Sequence, residues 1–150
     1  MPDVISNTSC LIALSNIDSL DILRKIHGNI NITDVVAAEF GEKLPDWIIV
    51  SSVKDAGKAE LISVVLDPGE ATSIALALEK KNPLLILDDG KARHFANALN
   101  IKLTGTLGVL VKAYNAKIIP DLPGTLSNLR QKGFYISKNI EHEIMKFQRN

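Results

Sequence analysis

Acidic residues at three separate places in the sequence are suited to a divalent-cation site. They are Glu39, Glu70 and the pair Asp88-Asp89. Carboxylate oxygens bind Mg²⁺ or Mn²⁺, and such an ion can bridge a phosphodiester, lower the pKa of a bound water and stabilise charge on a leaving oxygen. Without a metal ion, acids held close together repel each other and some become protonated. These residue types therefore indicate metal-assisted hydrolysis, provided that the fold brings them together.

Small polar residues accompany the acids. Asn7, Thr8 and Ser9 form a polar turn after the first apolar segment of the chain. Thr104 and Thr106 are expected to shape a second turn and cap the following helix, and polar support of a metal site is the alternative role for them. Basic residues at 91–94 could face a phosphate, although such a run is more often a solvated helix face.

Each acid also has a structural explanation. Glu70 completes the capping-box pattern that begins at Asp67, and it could serve both as a cap and as a ligand. One acid of the Asp88-Asp89 pair is expected to cap the next helix, as in an ordinary strand-to-helix turn. Glu39, taken alone, is more often a solvated surface charge than a ligand.

The elements that must position these residues follow an alternating pattern. Short apolar runs rich in strand formers are separated by segments of helical periodicity, which predicts an α/β sandwich with a mainly parallel sheet. The predicted strands are residues 4–6, 30–32, 48–52, 84–87 and 101–104. Ligands bind outside the carboxyl ends of parallel strands, and the turns at Asn7 and at Asp88-Asp89 both lie at such ends.

Helices are predicted in the intervening segments. The first strand is followed by two short helices with a break at residues 16–18, and a third helix starts at Thr33 and stops at Gly41. The clearest helix start is Asp67-Pro68, where an acid precedes a proline at the first helical position. Further helices are predicted around 92–99, after Thr106, and at 122–131 and 140–147.

The composition of the chain is typical of a folded globular domain. The chain has 150 residues, of which 46% are hydrophobic and 23% charged, as in ordinary folded domains, and we expect one domain over residues 1–150. Seventeen basic residues balance seventeen acidic ones, so a polyanion would need a local patch or metal ions. The single Cys10 and the lack of long apolar runs favour a cytoplasmic protein without membrane insertion.

Taken together, the motifs resemble those of the PIN-domain family, and in particular the VapC-like proteins of toxin-antitoxin pairs. No single motif is specific, but their order and spacing run over nearly the whole chain. They are VISNTS at 4–9, VVAAEF at 35–40, GEA at 69–71, LILDD at 85–89 and TGTLGVL at 104–110.

The resemblance implies a three-layer α/β/α sandwich with a mainly parallel central sheet. It also implies a metal-dependent endoribonuclease that uses Mg²⁺ or Mn²⁺, is often a homodimer and pairs with a small antitoxin. The family's helix-borne acid falls on Glu39, its mid-chain acid on Glu70 and its strand-end acid on Asp88, with Asp89 as the competing choice. Its small hydroxyl residues after the first strand correspond to Thr8 and Ser9.

The departure from the family pattern is Asn7, where the family has an aspartate. The amide oxygen of Asn7 can contact a cation but carries no charge. A unit charge about 4 Å from another is worth roughly 4 kcal/mol at an effective dielectric near 20, so the loss of one acid would weaken metal binding or catalysis. The sequence therefore indicates either a weak or inactive natural member or a deliberately disarmed nuclease.

Two other functions compete with the nuclease. A non-catalytic RNA-binding or protein-interaction module is favoured by Asn7 but disfavoured by the retention of Glu39, Glu70 and Asp88. A receiver-like signalling domain also has a strand ending in two aspartates, but it would need acids after the first strand, where this chain has Asn7. Self-association is expected from apolar residues near both ends, namely Leu20, Leu23, Ile140, Ile144 and Phe147.

Overall fold

The centre of the fold is a five-stranded sheet in which each strand runs parallel to its neighbours. The computed structural model describes residues 2–146. The strands are β1 (Asp3–Ser6), β2 (Ile30–Thr33), β3 (Ile48–Ser51), β4 (Pro83–Ile86) and β5 (Lys102–Thr104). Their order across the sheet is β3-β2-β1-β4-β5. All five predicted strands are confirmed, each boundary within one residue.

Nine helices occur between residues 2 and 146. They are α1 (Thr8–Asn16), α2 (Asp21–His27), α3 (Asp34–Phe40), α4 (Ala56–Ile62), α5 (Pro68–Leu78), α6 (Gly90–Ala98), α7 (Thr106–Asn115), α8 (Leu122–Gln131) and α9 (Lys138–Met145). In this part of the chain no helix has the length and hydrophobicity needed to span a membrane. The last predicted helix is confirmed up to Met145, and Phe147 lies outside the described residues.

Helix α4 was not predicted. Gly57 lies in its first turn and only Ala59 and Ile62 are buried, so its apolar periodicity is too short to be distinctive. Its start is nevertheless marked by Asp55, whose side chain accepts a hydrogen bond from the Lys58 N–H at 3.1 Å.

Helices cover both faces of the sheet, as predicted for an α/β/α sandwich. One apolar cluster joins Val4 and Ile86 to residues of α1, α2, α3, α7, α8 and α9. The other joins Ile5, Leu85 and Leu87 to residues of α4, α5 and α6. The alternation along β1 and β4 therefore sends neighbouring side chains into opposite layers, which explains why consecutive residues of both strands, Val4-Ile5 and Leu85-Ile86, are apolar.

Two helix starts and one helix end were fixed by local sequence. The Thr33 side chain caps α3 by accepting from the Val36 N–H at 3.2 Å, and Gly41 ends that helix with a left-handed φ of 70°. The Asp67 side chain accepts from the Glu70 N–H at 2.9 Å, completing the predicted capping box of α5.

Most of the apolar residues expected to form a self-association patch are not exposed. Leu23 and Ile144 are buried within the chain, and Leu20 packs against the first cluster. Ile140, in contrast, is 47% exposed. The two terminal helical segments are apolar mainly because they complete the core.

Candidate active site

The two polar turns lie side by side at the carboxyl edge of the sheet. Strands β1 and β4 are neighbours, and Ser6 pairs with Ile86 at their ends. The Asn7 N–H donates to the Ile86 carbonyl at 3.0 Å, which extends the pairing by one residue. The side chains that follow these strands, Asn7 and Asp88, therefore emerge at the same edge.

Asp88 is held by three hydrogen bonds from elements remote in sequence. Its Oδ1 accepts from the Thr106 N–H at 2.7 Å, and its Oδ2 accepts from the Thr106 hydroxyl at 2.6 Å and the Ser9 hydroxyl at 2.9 Å. A Cβ added at Gly105 would lie only 2.9 Å from Asp88 Oδ1, so glycine permits this close approach. Donors on two sides fix the orientation of the carboxylate.

The capping role expected for the threonines is wrong. Helix α7 has Gly105 at its N-cap and receives no side-chain cap there. Thr106 is the first residue inside α7 rather than its N-cap, and its fully buried hydroxyl donates to Asp88. Thr104 lies against Gly108 in the first turn of α7. Thr106 therefore supports the strand-end acid, and the support of a metal site stays a prediction.

Glu39 is exposed, as expected for a surface charge, and it also has a partner within the chain. It lies near the end of α3, and its carboxylate accepts a hydrogen bond from the Thr8 hydroxyl. The same carboxylate lies against Gly69 so closely that a Cβ there would overlap it. Helix α3 packs against both α1 and α5, which explains how residues so far apart in sequence meet. Glu39 is therefore a solvent-accessible carboxylate with a hydrogen bond to the first turn.

Glu70 combines a structural role with an unusual acidity. Only 7% of it is exposed, and its Oε1 accepts from the Asp67 N–H at 3.4 Å. Burial, together with the smaller effect of the nearby negative charges of Asp67 and Asp89, raises the pKa of Glu70 to about 7. Glu70 is thus both the second member of the capping box and a carboxyl group that binds a proton near neutral pH.

The structure distinguishes the roles of the two adjacent aspartates. The Oδ2 of Asp89 accepts from the Ala92 N–H at 3.0 Å, so Asp89 caps α6. Asp88 instead faces the hydroxyls of Ser9 and Thr106. The strand-end acid of the candidate site is therefore best assigned to Asp88, while Asp89 contributes its charge to the surroundings of Glu70.

Asn7 supplies a buried acceptor in the turn whose next two residues contact the two acids. It is 6% exposed, and its side-chain oxygen is buried without a hydrogen-bond partner. Its neighbours Thr8 and Ser9 donate to Glu39 and Asp88 respectively. A buried unpaired acceptor is costly unless a cation or water satisfies it, so this oxygen is suited to contact either one.

The donor set suits a hard cation, with one charge fewer than an all-acid site. No group of three or more His, Cys, Asp or Glu side chains between residues 2 and 146 is arranged to hold a metal ion. The set around the Asn7 turn is instead one neutral amide and two carboxylates, those of Glu39 and Asp88. All three present oxygen, the donor type that Mg²⁺ and Mn²⁺ prefer. The residues present therefore fit such an ion in chemical type.

Arg93 is a site residue whose role the sequence did not show. It is half-buried, and its guanidinium donates to the Leu87 carbonyl at 2.7 Å. An added Cβ at Gly105 would lie 3.2 Å from its Nη1, so the cation reaches the turn that also receives Asp88. Arg93 stands six residues after Leu87 on a helix that starts at Gly90, and that offset was the only available signal.

Comparison with family models matches residues 3–149 to a model described as a PIN domain. No curated protein and no solved structure matches the chain. Because the match covers nearly the whole sequence and agrees with the parallel five-stranded sheet, the chain belongs to the PIN-domain family. PIN domains are generally nucleases, and those nucleases typically use divalent metal ions.

Proposed function

We propose that this PIN-domain protein is a Mg²⁺- or Mn²⁺-dependent endoribonuclease of the VapC-like kind, weakened by asparagine at position 7. The observation that carries the proposal is the double anchorage at the first turn. Thr8 donates to Glu39 and Ser9 donates to Asp88, while the buried side-chain oxygen of Asn7, in the same turn, has no partner. One turn thus joins two carboxylates from distant elements and carries an unpaired oxygen, which supports a cation-binding role.

Asn7, Glu39 and Asp88 would hold the metal ion. When bound, the ion supplies an activated water and stabilises negative charge on the leaving oxygen of a phosphodiester. Thr106 and Ser9 orient the Asp88 carboxylate through its two oxygens. These hydrogen bonds are formed in the chain alone, so the carboxylate needs little reorganisation to bind a cation.

Glu70 has the acidity of a proton carrier. A carboxyl with a pKa of about 7 both binds and releases a proton near neutral pH, which is the property required of a general acid or base. Its capping box with Asp67 holds the side chain at the start of α5, and Asp89 is one of the charges that act on it. We assign Glu70 the role of a proton-holding group at the start of α5.

The test is chelator-sensitive cleavage of RNA by the native chain. We expect slow cleavage with Mn²⁺, none with EDTA, and none with Asp88→Asn, which keeps the side-chain shape but removes the charge. Asp89→Asn is the matched control, because Asp89 caps α6 and is not one of the three proposed ligands. Cleavage that persists in EDTA, or that Asp88→Asn leaves unchanged, would contradict the proposal.

The alternative is a non-catalytic RNA-binding or protein-interaction module with a PIN fold. Asn7 favours it, because the neutral amide lowers the negative charge available to a divalent ion. It predicts RNA or protein binding that is indifferent to Mn²⁺ and no cleavage of any RNA. Calorimetric titration with Mn²⁺ separates the two functions. The nuclease should bind Mn²⁺ and lose this binding in Asp88→Asn, whereas the non-catalytic module does not depend on Mn²⁺.

Two partners belong to the same proposal. A small antitoxin would neutralise the nuclease in the cytoplasm, and a short open reading frame adjacent to the gene is its expected source. The second partner is another copy of the chain, in a homodimer. Light scattering at high micromolar concentration tests the dimer, and a strict monomer would contradict it.

A further inference from the structure

An exposed aromatic side chain stands in the groove that begins at Asp88. The groove has a volume of about 760 Å³, and its walls include Asp88, Arg93, Phe134 and Tyr135. Tyr135 is 76% exposed, an unusual state for a large ring beside polar groups. The chemistry proposed above makes no use of it.

The position of Tyr135 is set by the end of α8. Gly133 adopts a φ of 94°, which only glycine takes without strain, and the Phe134 N–H donates to the Leu129 carbonyl at 3.0 Å. Phe134 is partly buried against the first apolar cluster, whereas Tyr135 projects beyond it. The ring is therefore carried by an anchored turn.

Basic side chains extend from the Arg93 side of the groove into a neighbouring cavity. Arg93 also lines a second cavity of about 570 Å³, whose walls include His94, Asn97 and Lys102. The whole chain has no net charge, so these side chains are a local basic surface. A ligand that spans both cavities would meet an aromatic ring near the acids and cationic groups beyond them.

We propose that Tyr135 is a stacking platform for an unpaired base of RNA, and that it makes the protein select single-stranded over duplex RNA. The inference rests on the proposed function. A strand whose phosphate lies at Asp88 would place a flanking base on the Tyr135 ring and its continuing backbone along Arg93 and Lys102. Paired bases are stacked on both faces already, so a duplex offers no free face to the ring.

The experiment measures RNA affinity in the native chain, in which Asn7 limits cleavage. A labelled single-stranded oligoribonucleotide and the same sequence closed into a hairpin duplex are titrated by fluorescence anisotropy with Mn²⁺ present. We expect Tyr135→Ala to weaken single-strand binding by about 5- to 150-fold, and Tyr135→Phe to preserve it. The hairpin should bind more weakly and respond little to Tyr135→Ala.

The matched control is Val64→Ala, which truncates another highly exposed apolar side chain, 81% exposed and outside the groove. It should leave both affinities unchanged, and circular dichroism should show that all variants are folded. Unchanged single-strand affinity in Tyr135→Ala, or equal losses for strand and hairpin, would overturn the inference but not the proposed nuclease. If the native chain binds neither RNA, the proposed function fails and the inference fails with it.

Discussion

The most informative perturbation is Asn7→Asp, which adds one charge where the structure leaves one acceptor unsatisfied. The Asn7 side-chain oxygen is buried and has no hydrogen-bond partner, and the hydroxyls of Thr8 and Ser9 hold Glu39 and Asp88 next to the same turn. Asparagine and aspartate have nearly the same shape, so the substitution changes charge with little change in packing. It should therefore act in opposite directions in the metal-free and metal-bound protein.

The magnitude follows from charge and burial. A unit charge at about 4 Å from another is worth roughly 4 kcal/mol at an effective dielectric near 20, and a divalent ion about doubles this. Desolvation and repulsion from Glu39 and Asp88 offset much of the gain. We expect a net gain of about 1.4 to 4 kcal/mol, or roughly 10- to 1000-fold tighter Mn²⁺ binding. Without metal, the added buried charge should cost about 1 to 3 kcal/mol of folding free energy.

Thermal unfolding and calorimetry measure both directions. In EDTA, the Asn7→Asp variant should melt below the native chain, by about 3 °C for each kcal/mol lost in a chain of this size. With Mn²⁺ the order should reverse, and RNA cleavage should accelerate. Asn128→Asp is the matched control, because it adds the same charge at an exposed position of α8.

Asn7→Asp combined with Asp88→Asn returns the carboxylate count to that of the native chain and should abolish the gain. The reasoning is refuted if Asn7→Asp neither tightens Mn²⁺ binding nor produces chelator-sensitive cleavage of any RNA. The non-catalytic module would then be the better account of the fold. Slowed bacterial growth on expression of Asn7→Asp without a partner would be the corresponding result in cells.

Three further predictions concern the supports of the site. Gly69→Ala should change the free energy of unfolding by no more than about 1 kcal/mol, because alanine suits a helix better than glycine. It should nevertheless weaken Mn²⁺ binding, because the added Cβ displaces the Glu39 carboxylate. A Mn²⁺ affinity equal to that of the native chain in calorimetry would contradict this. Thr106→Val should cost about 1 to 3 kcal/mol in urea unfolding, because the buried hydroxyl donates to a charged acceptor. Burial raises the pKa of Glu70 from 4.5 to about 7, so the folded chain retains a proton that the unfolded chain releases, and stability falls as pH rises through that window. In chelator, Glu70→Gln should remove up to about 3 kcal/mol of this fall between pH 5 and 8; an unchanged pH profile would exclude Glu70 as its source.

The strands and most helix starts were predictable because their signals are local. β4 is an apolar run bounded by Asn82 and Asp88, and the capping box at Asp67 involves residues three apart. Each of these features depends only on residues that are close to one another in the sequence. Local patterns of this kind survive in the folded structure whenever tertiary packing agrees with them.

The roles of the side chains at the site were not predictable, because their partners come from distant elements. Both Asp88 and Asp89 fit a helix cap, and only the exact start of α6 at Gly90 gives the cap to Asp89. Thr106 resembles a helix-capping threonine in sequence, but α7 begins at Thr106 itself and its hydroxyl donates to Asp88, 18 residues away. The contact of the exposed Glu39 with Thr8 depends on the packing of α1 against α3.

The first turn explains how a site can lose a charge and keep its geometry. The backbone of Asn7 is fixed by its hydrogen bond to Ile86, and the acids are held by Thr8 and Ser9. None of these bonds involves the side chain of residue 7. Asparagine at position 7 therefore changes the charge available to a metal ion but leaves the surrounding residues in place. For this reason, one substitution at position 7 can distinguish a weakened nuclease from a module that does not bind metal.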